Sequence, residues 1–195
     1  MDRHPMRRRS FDTIADDDTM PVIVPRNVKA LVPVTPERVR RLRRHLLRVL
    51  RTVVSMERTV SPVLPEPEGY AARVARTACA LCEGSCCANG ADTGFLDERT
   101  IARVSAARPN LGARDLMRLY IVRVPDAAYR DSCIFHGKRG CTLDRSSRSD
   151  VCNSYFCGGL ENYMASDATE TPVTVIAGDS GNMRISPALF PREGK

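Results

Sequence analysis

Residues 36–60, "PERVRRLRRHLLRVLRTVVSMERTV", carry the clearest periodic pattern in the chain. Val39, Leu42, Leu46, Val49, Val53, Met56 and Val60 recur in steps of three and four, which is a heptad seam. Leu47, Leu50 and Val54 widen the seam into a broad apolar face. Arg38, Arg40, Arg41, Arg43, Arg44, Arg48 and Arg51 cover the rest. Thr35 suits the N-cap, Pro36 the first turn and Glu37 the positive end of the helix. The first expectation is a helix packed on its own domain. Self-association through 36–60 as a short coiled coil is the second. Nucleic-acid or membrane-surface contact comes last, because no aromatics are interleaved with the arginines.

Further along, "YAARVARTACALCEG" predicts a helix with Tyr70, Val74 and Leu81 near one face and Gly84 at its end. "GFLDERTIARVSAARP" predicts another, capped by Asp97, with Glu98 in the first turn and Pro109 closing it. "GARDLMRLYIVRVP" reads as a helix whose end has strand character. "DSCIFHGKRGCTLD" reads as a hairpin, with Cys133–Ile134–Phe135 and Cys141–Thr142–Leu143 flanking a Gly-Lys-Arg-Gly turn. "SDVCNSYFCGG" reads as a short helix capped by Ser149 and ended by Gly158–Gly159. "TPVTVIAGDSGNMRIS" reads as a second hairpin, turning over 178–182. The fold class expected is α+β: a small, mainly helical, metal-stabilised domain with short hairpins, preceded by a basic amphipathic helix.

The polar and Pro-rich stretches divide the chain. Residues 1–35 read as a disordered leader, with "RRR" and "DDD" blocks and Pro21, Pro25 and Pro33 interrupting the apolar pieces. The basic helix spans 36–60 and a Pro-rich linker 61–69. A cysteine-cluster domain spans 70–165, and a C-terminal hairpin and tail 166–195. The net charge of +7 is uneven. Residues 1–60 hold 14 Lys+Arg against 7 Asp+Glu, and 61–195 hold 16 against 16, so the basic excess belongs to the leader and its helix. Nucleic acid is therefore a disfavoured partner. No apolar run is long enough for a membrane span. The N-terminus has no apolar stretch after its basic residues and carries Asp16, Asp17 and Asp18, so a cytoplasmic protein is expected.

That location changes the reading of eight cysteines: Cys79, Cys82, Cys86, Cys87, Cys133, Cys141, Cys152 and Cys157. Where thiols stay reduced, such clustering favours ligands over disulfides. The order is C-x2-C-x3-C-C, then C-x7-C, then C-x4-C. It contains neither the C-x3-C-x2-C of radical S-adenosylmethionine enzymes nor the two-cluster ferredoxin pattern. A thioredoxin-like pair would need a βαβ unit around Cys79 and Cys82. No phosphate loop or dinucleotide fingerprint is present. Thiolates bind borderline and soft metals, and tetrahedral ions or iron–sulfur clusters want four of them. Eight suits two four-thiolate sites, or one cluster with supporting thiols. Adjacent Cys86 and Cys87 point different ways in most backbones, so they suit two neighbouring sites better than one.

Several neighbours bear on such a centre. Arg76, Lys138, Arg139, Arg145 and Arg148 lie close in sequence to the cysteines and are candidates to offset thiolate charge. His136 reads as an exposed turn residue before it reads as a ligand, and His45 as structural or surface. Tyr155 and Phe156 are expected to wall the site from water.

The cysteine order resembles the YkgJ-type cysteine-cluster proteins, described as a zinc- or iron-chelating domain. Their opening corresponds to "CALCEGSCC", their next stretch to "GFLDERTIARV", their hairpin to "CIFHGKRGCTL" and their close to "RSDVCNSYFC". The likeness covers about residues 79–157. Ser149 stands where that pattern has Pro, and Asn153 where it has Arg. The resemblance implies metal binding by all eight cysteines. A more distant likeness to flagellin lysine-N-methylases implies a methyltransferase alternative.

The expected function is a cytoplasmic metal-binding protein that holds an iron–sulfur cluster or Zn2+, iron being slightly favoured, and that is redox-active if it holds iron. An unidentified protein or redox partner goes with it. A cluster-dependent enzyme and a zinc-stapled interaction protein using the basic helix are the alternatives. The sequence offers no catalytic group.

Overall fold

Two hydrophobic cores organise the computed structural model, which describes residues 18–54, 67–166 and 170–191. Expectations for the leader's first 17 residues, the end of the basic helix, most of the Pro-rich linker and the last four residues lie outside the described residues. The architecture is α+β, with helices around three small sheets.

The first core is built on α1 (Pro36–Val54). Leu42, Leu46, Val49 and Leu50 are buried against α3 (Glu98–Ala106) and α4 (Ala113–Ile121). Burial of each such side chain contributes about 1.5–3 kcal/mol. The same residues would have to leave this core to form a coiled-coil seam, so the helix packs on its own domain. Leu47 departs from the expected apolar face and is 43% exposed. Asp97 caps α3 as expected, accepting from the Thr100 N–H at 2.8 Å. The end of α4 closes in turns rather than strand, its last carbonyls accepting from the Val122 and Arg123 N–H groups. Two small ribbons complete this half: β2 (Leu31–Pro33) pairs with β3 (Ala127–Tyr129), and β4 (His136–Gly137) with β5 (Gly140–Cys141).

The second core joins distant parts of the chain. β1 (Met20–Val24) runs parallel to β6 (Val173–Ala177), with Met20 opposite Val173 and Val24 opposite Ala177. β7 (Arg184–Ile185) pairs antiparallel on the other side of β6, forming the expected C-terminal hairpin. Every residue of β6 is buried, as befits a central strand. α2 (Gly69–Cys82) and α6 (Gly158–Ala165) cover this sheet. The leader expectation is thus corrected for residues 20–33, which hold β1 and β2. Val22 and Val24 alternate into the core, and Pro21 is tolerated because β1 is an edge strand.

The region after Cys152 is also corrected. The predicted helix stops at Ser154 as α5 (Asp150–Ser154), and Gly158–Gly159 open α6 instead of ending α5. The reason is steric. A Cβ on Gly159 would lie 1.8 Å from the carbonyl oxygen of Ile23, so glycine is what lets β1 approach α6. Gly159→Ala is expected to destabilise the fold by at least about 2 kcal/mol. Gly158→Ala, whose Cβ meets nothing within 4 Å, should be neutral or slightly stabilising. Denaturant midpoints of the two variants check this contrast; equal midpoints would contradict it.

Candidate metal centre

The cysteines come from separated segments, with Cys87, Cys133 and Cys141 in or against the first core and Cys82 and Cys157 in or against the second. Cys79 and Cys82 lie on the last turn of α2, as their three-residue spacing predicts. Cys82 is buried in the second core, while Cys79 is exposed. The chain then reverses through Glu83 and Gly84, both with positive φ (53° and 73°). A single 3-10 turn, Ser85–Gly90, carries Cys86 and Cys87. Successive residues on such a turn point about 120° apart. Cys86 accordingly faces solvent, and Cys87 packs half-buried against the first core.

The reversal is held by a residue assigned too little. His136 is 1% exposed and is not an exposed turn residue. Its Nε2 lies 2.9 Å from the Glu83 carbonyl, which can only accept, so Nε2 carries the proton. Its Nδ1 then accepts from the Ser132 hydroxyl at 2.8 Å. Both ring nitrogens are engaged, so His136 is not placed as a ligand. A Cβ on Gly84 would fall 2.5 Å from that Nε2, which explains the glycine.

Cys133 lies before the hairpin rather than in it. Ile134 and Phe135, expected as strand, are fully buried in the first core, and the pairing starts only at His136. The Cys133 N–H donates to the Cys87 carbonyl at 2.9 Å, and Gly90 leaves room for the Cys133 side chain. Cys141 is half-buried in β5. Cys152 is exposed on α5, its N–H donating to the Ser149 hydroxyl at 3.1 Å, which is the predicted cap. Cys157 is the N-cap residue of α6 and packs against the second core. Phe156 joins that core as well, but Tyr155 is 55% exposed and does not wall the site.

The thiols weigh on one another's ionisation. Burial pushes Cys79 up to about 11, reinforced by Cys86, Cys82 and Cys157 and opposed by Arg148. Burial raises Cys82, opposed by the Ser85 N–H that donates to its sulfur at 3.3 Å, and reinforced by Cys86 and Cys157. Burial pushes Cys133 up to about 12, with the Phe135 N–H opposing and Cys141 and Cys152 adding to the rise. Cys152 is raised by desolvation, with the Ser149 hydroxyl and Arg148 opposing and Cys141 and Cys86 reinforcing. Cys86 goes the other way, to about 7, because the Cys87 thiol donates to it. Cys87 is raised in turn, since it holds the shared proton.

All eight cysteines are free. Among the described residues, no three His, Cys, Asp or Glu side chains are arranged to close on one ion. The donor set nevertheless suits a thiophilic metal. The nearby carboxylates are engaged by arginines: Glu83 with Arg26 and Arg184, Asp92 with Arg38 and Arg41, Asp150 with Arg103. That leaves sulfur as the chemistry on offer, which fits zinc or iron–sulfur rather than a hard cation. Of the cations singled out from the sequence, Arg148 favours the thiolates of Cys79, Cys86 and Cys152. Arg145 is tied to Asn153 instead, exchanging hydrogen bonds with it in both directions.

Arg103 escaped the sequence reading. It is 2% exposed, and its guanidinium donates to Asp150 Oδ1 at 2.8 Å and to the carbonyls of Ser146 and Arg148 at 2.9 and 2.6 Å. It therefore fixes the loop that delivers Cys152. The available signal was its position between Ile101 and Val104, an arginine set into an apolar arc. Arg103→Ala should cost about 3 kcal/mol, because it strands two carbonyls and a carboxylate. Thermal melts of the variant measure this. In the metal-free reduced chain, iodoacetamide at neutral pH should label Cys86 before Cys79 and Cys152, which are also exposed but harder to ionise. Mass spectrometry of the first-labelled peptide decides it. Comparison with protein-family models, with curated proteins and with solved structures finds no match to this chain.

Proposed function

We propose that this chain is a metal-binding protein that uses its cysteine thiolates to hold an iron–sulfur centre or zinc, with iron the first expectation. The observation that carries the reading is a set of eight free thiols, from α2, the 3-10 turn, the β4–β5 region, α5 and α6, that lie near enough to raise one another's ionisation cost. Structural thiols are usually isolated and apolar in their surroundings. Here three of the eight are exposed, and the sulfurs raise one another's ionisation cost. Without a metal most of these thiols stay protonated and neutral, so the cluster is tolerated but holds no charge. A metal would displace those protons and neutralise the thiolates it binds.

The surrounding residues are suited to that task. The Ser85 N–H donates to the Cys82 sulfur, as backbone amides commonly do around metal thiolates. Arg148 supplies positive charge, and Phe156 sits with Cys157 against apolar surface. The resemblance of the cysteine order to the YkgJ-type pattern supports the same chemistry. An iron–sulfur group would supply one-electron exchange, whereas zinc would act only as a cross-link. Among the described residues no helix is long and apolar enough to cross a membrane.

Anaerobic purification followed by metal and acid-labile sulfide analysis tests the proposal. Stoichiometric iron with sulfide and visible charge-transfer absorption is the expected result. Stoichiometric zinc without colour would keep metal binding and remove electron transfer. A chain that purifies with neither metal and takes up neither after reduction would overturn the reading. Chelation of the bound metal should lower the melting temperature, because metal-binding energy is also folding energy in such domains.

A further inference from the structure

We propose that the exposed face of α1 is a docking surface for an acidic protein segment of about three helical turns, with carboxylates placed around an apolar side chain. This face carries none of the cysteines, so its role is independent of what they hold.

The face is what the core leaves out. Leu42, Leu46, Val49 and Leu50 take the apolar side of α1 into the first core. Arg40, Arg43, Arg44, Leu47, Arg48 and Arg51 are all exposed. At about 100° per residue they fall within an arc of about 140°, over a length of about 16 Å. The Arg40 and Arg44 side chains are 65% and 72% exposed, and both lean on the one carboxylate of Glu37. Among the described residues, the Arg43 and Arg51 guanidinium groups have no carboxylate and no hydrogen-bond partner. Leu47 sits inside the arc and shares with Glu37, Arg40, Arg43 and Arg44 an open hollow of about 560 Å3.

This arrangement works against the helix that carries it. Arg40 with Arg43, Arg40 with Arg44, and Arg44 with Arg48 stand three or four residues apart, where like charges repel. The arginines begin in the N-terminal half, whereas cations stabilise the C-terminal end. Glu37 relieves only part of that repulsion. Neither core packing nor helix stability accounts for a stripe of one sign, and a ligand of opposite charge does.

Leu47 selects among such ligands. An apolar side chain ringed by arginines matches a protein interface, which has a hydrophobic centre and a polar rim. A phosphate backbone has no apolar group to cover Leu47, and the face offers no aromatic ring on which bases could stack. A membrane-surface helix would insert its apolar side, which here is already buried in the first core. A face three turns long is narrow for a permanent complex, so the encounter is transient and salt-sensitive.

Fluorescence anisotropy with the full chain tests the proposal. The probe is a labelled synthetic helical peptide with glutamates on one face around a single leucine. Binding at low ionic strength that weakens as salt is added is the expected result. Reversing the two unpartnered arginines, Arg43→Glu with Arg51→Glu, should weaken it by about tenfold or more. Leu47→Gln should weaken it by about threefold or more. The same reversal at Arg114 and Arg118, exposed on α4, should have little effect. Circular dichroism of each variant checks that the fold is kept. No binding of the peptide by the folded chain, or an equal loss from the α4 reversal, would overturn the proposal. Tighter binding of duplex DNA or of phosphatidylserine vesicles than of the peptide, at the same salt, would overturn it as well.

Discussion

The hydrogen bond from His136 to the carbonyl of Glu83 holds the two halves of this protein in register. Glu83 sits at positive φ, a conformation that an ordinary side chain adopts at a cost, and three partners keep it there. Its carbonyl is held by the first half through His136. Its carboxylate is held by Arg26, after β1, and by Arg184 of β7, both belonging to the second half. The chain reversal that separates Cys82 from Cys86 is therefore a junction rather than a loose loop. Together with the Asn27 N–H bonded to the Cys82 carbonyl and the Cys133 N–H bonded to the Cys87 carbonyl, the His136 bond ties the α2 segment to the hairpin region.

Charge distribution follows from the same arrangement. The basic helix does not simply coat itself with arginine. Arg38 and Arg41 both bind Asp92, which lies just past the cysteine-bearing 3-10 turn, and Arg38 also reaches the Ser132 carbonyl. Arg40 and Arg44 pair with Glu37 on the exposed side, where such pairs contribute little. His45 binds the Leu96 carbonyl, lashing α1 to the segment before α3. The helix is thus part of the scaffold of the thiol-bearing segments. The two cores are each small, and a metal centre among the thiols they carry would supply the cross-link that small cores commonly need.

Short-range features were legible because the chemistry that makes them is local. The Asp97 and Ser149 caps, the helical spacing of Cys79 and Cys82, and the burial of Leu42, Leu46 and Val49 all depend on residues within a turn or two. Misreadings came where a distant partner decided. His136 looked like a hairpin tip because its partners, Ser132 and the Glu83 carbonyl, are invisible in a hairpin pattern. Gly158–Gly159 looked like a helix stop because the strand that needs Gly159 lies near the other end of the chain. Arg103 went unnoticed because two of its acceptors are backbone carbonyls and the third, Asp150, is far off in sequence.

By itself, the sequence determined an α+β chain with a basic amphipathic helix, a set of capped helices and eight thiols whose order suits metal ligation. It could do so because helix periodicity, capping and ligand type are properties of neighbouring residues. Only the tertiary structure decided that residues 20–24 and 31–33 are strand, and that β1 lies parallel beside β6. Those outcomes depend on non-local contacts: an edge strand that needs a glycine opposite it, and a buried histidine that needs a carbonyl.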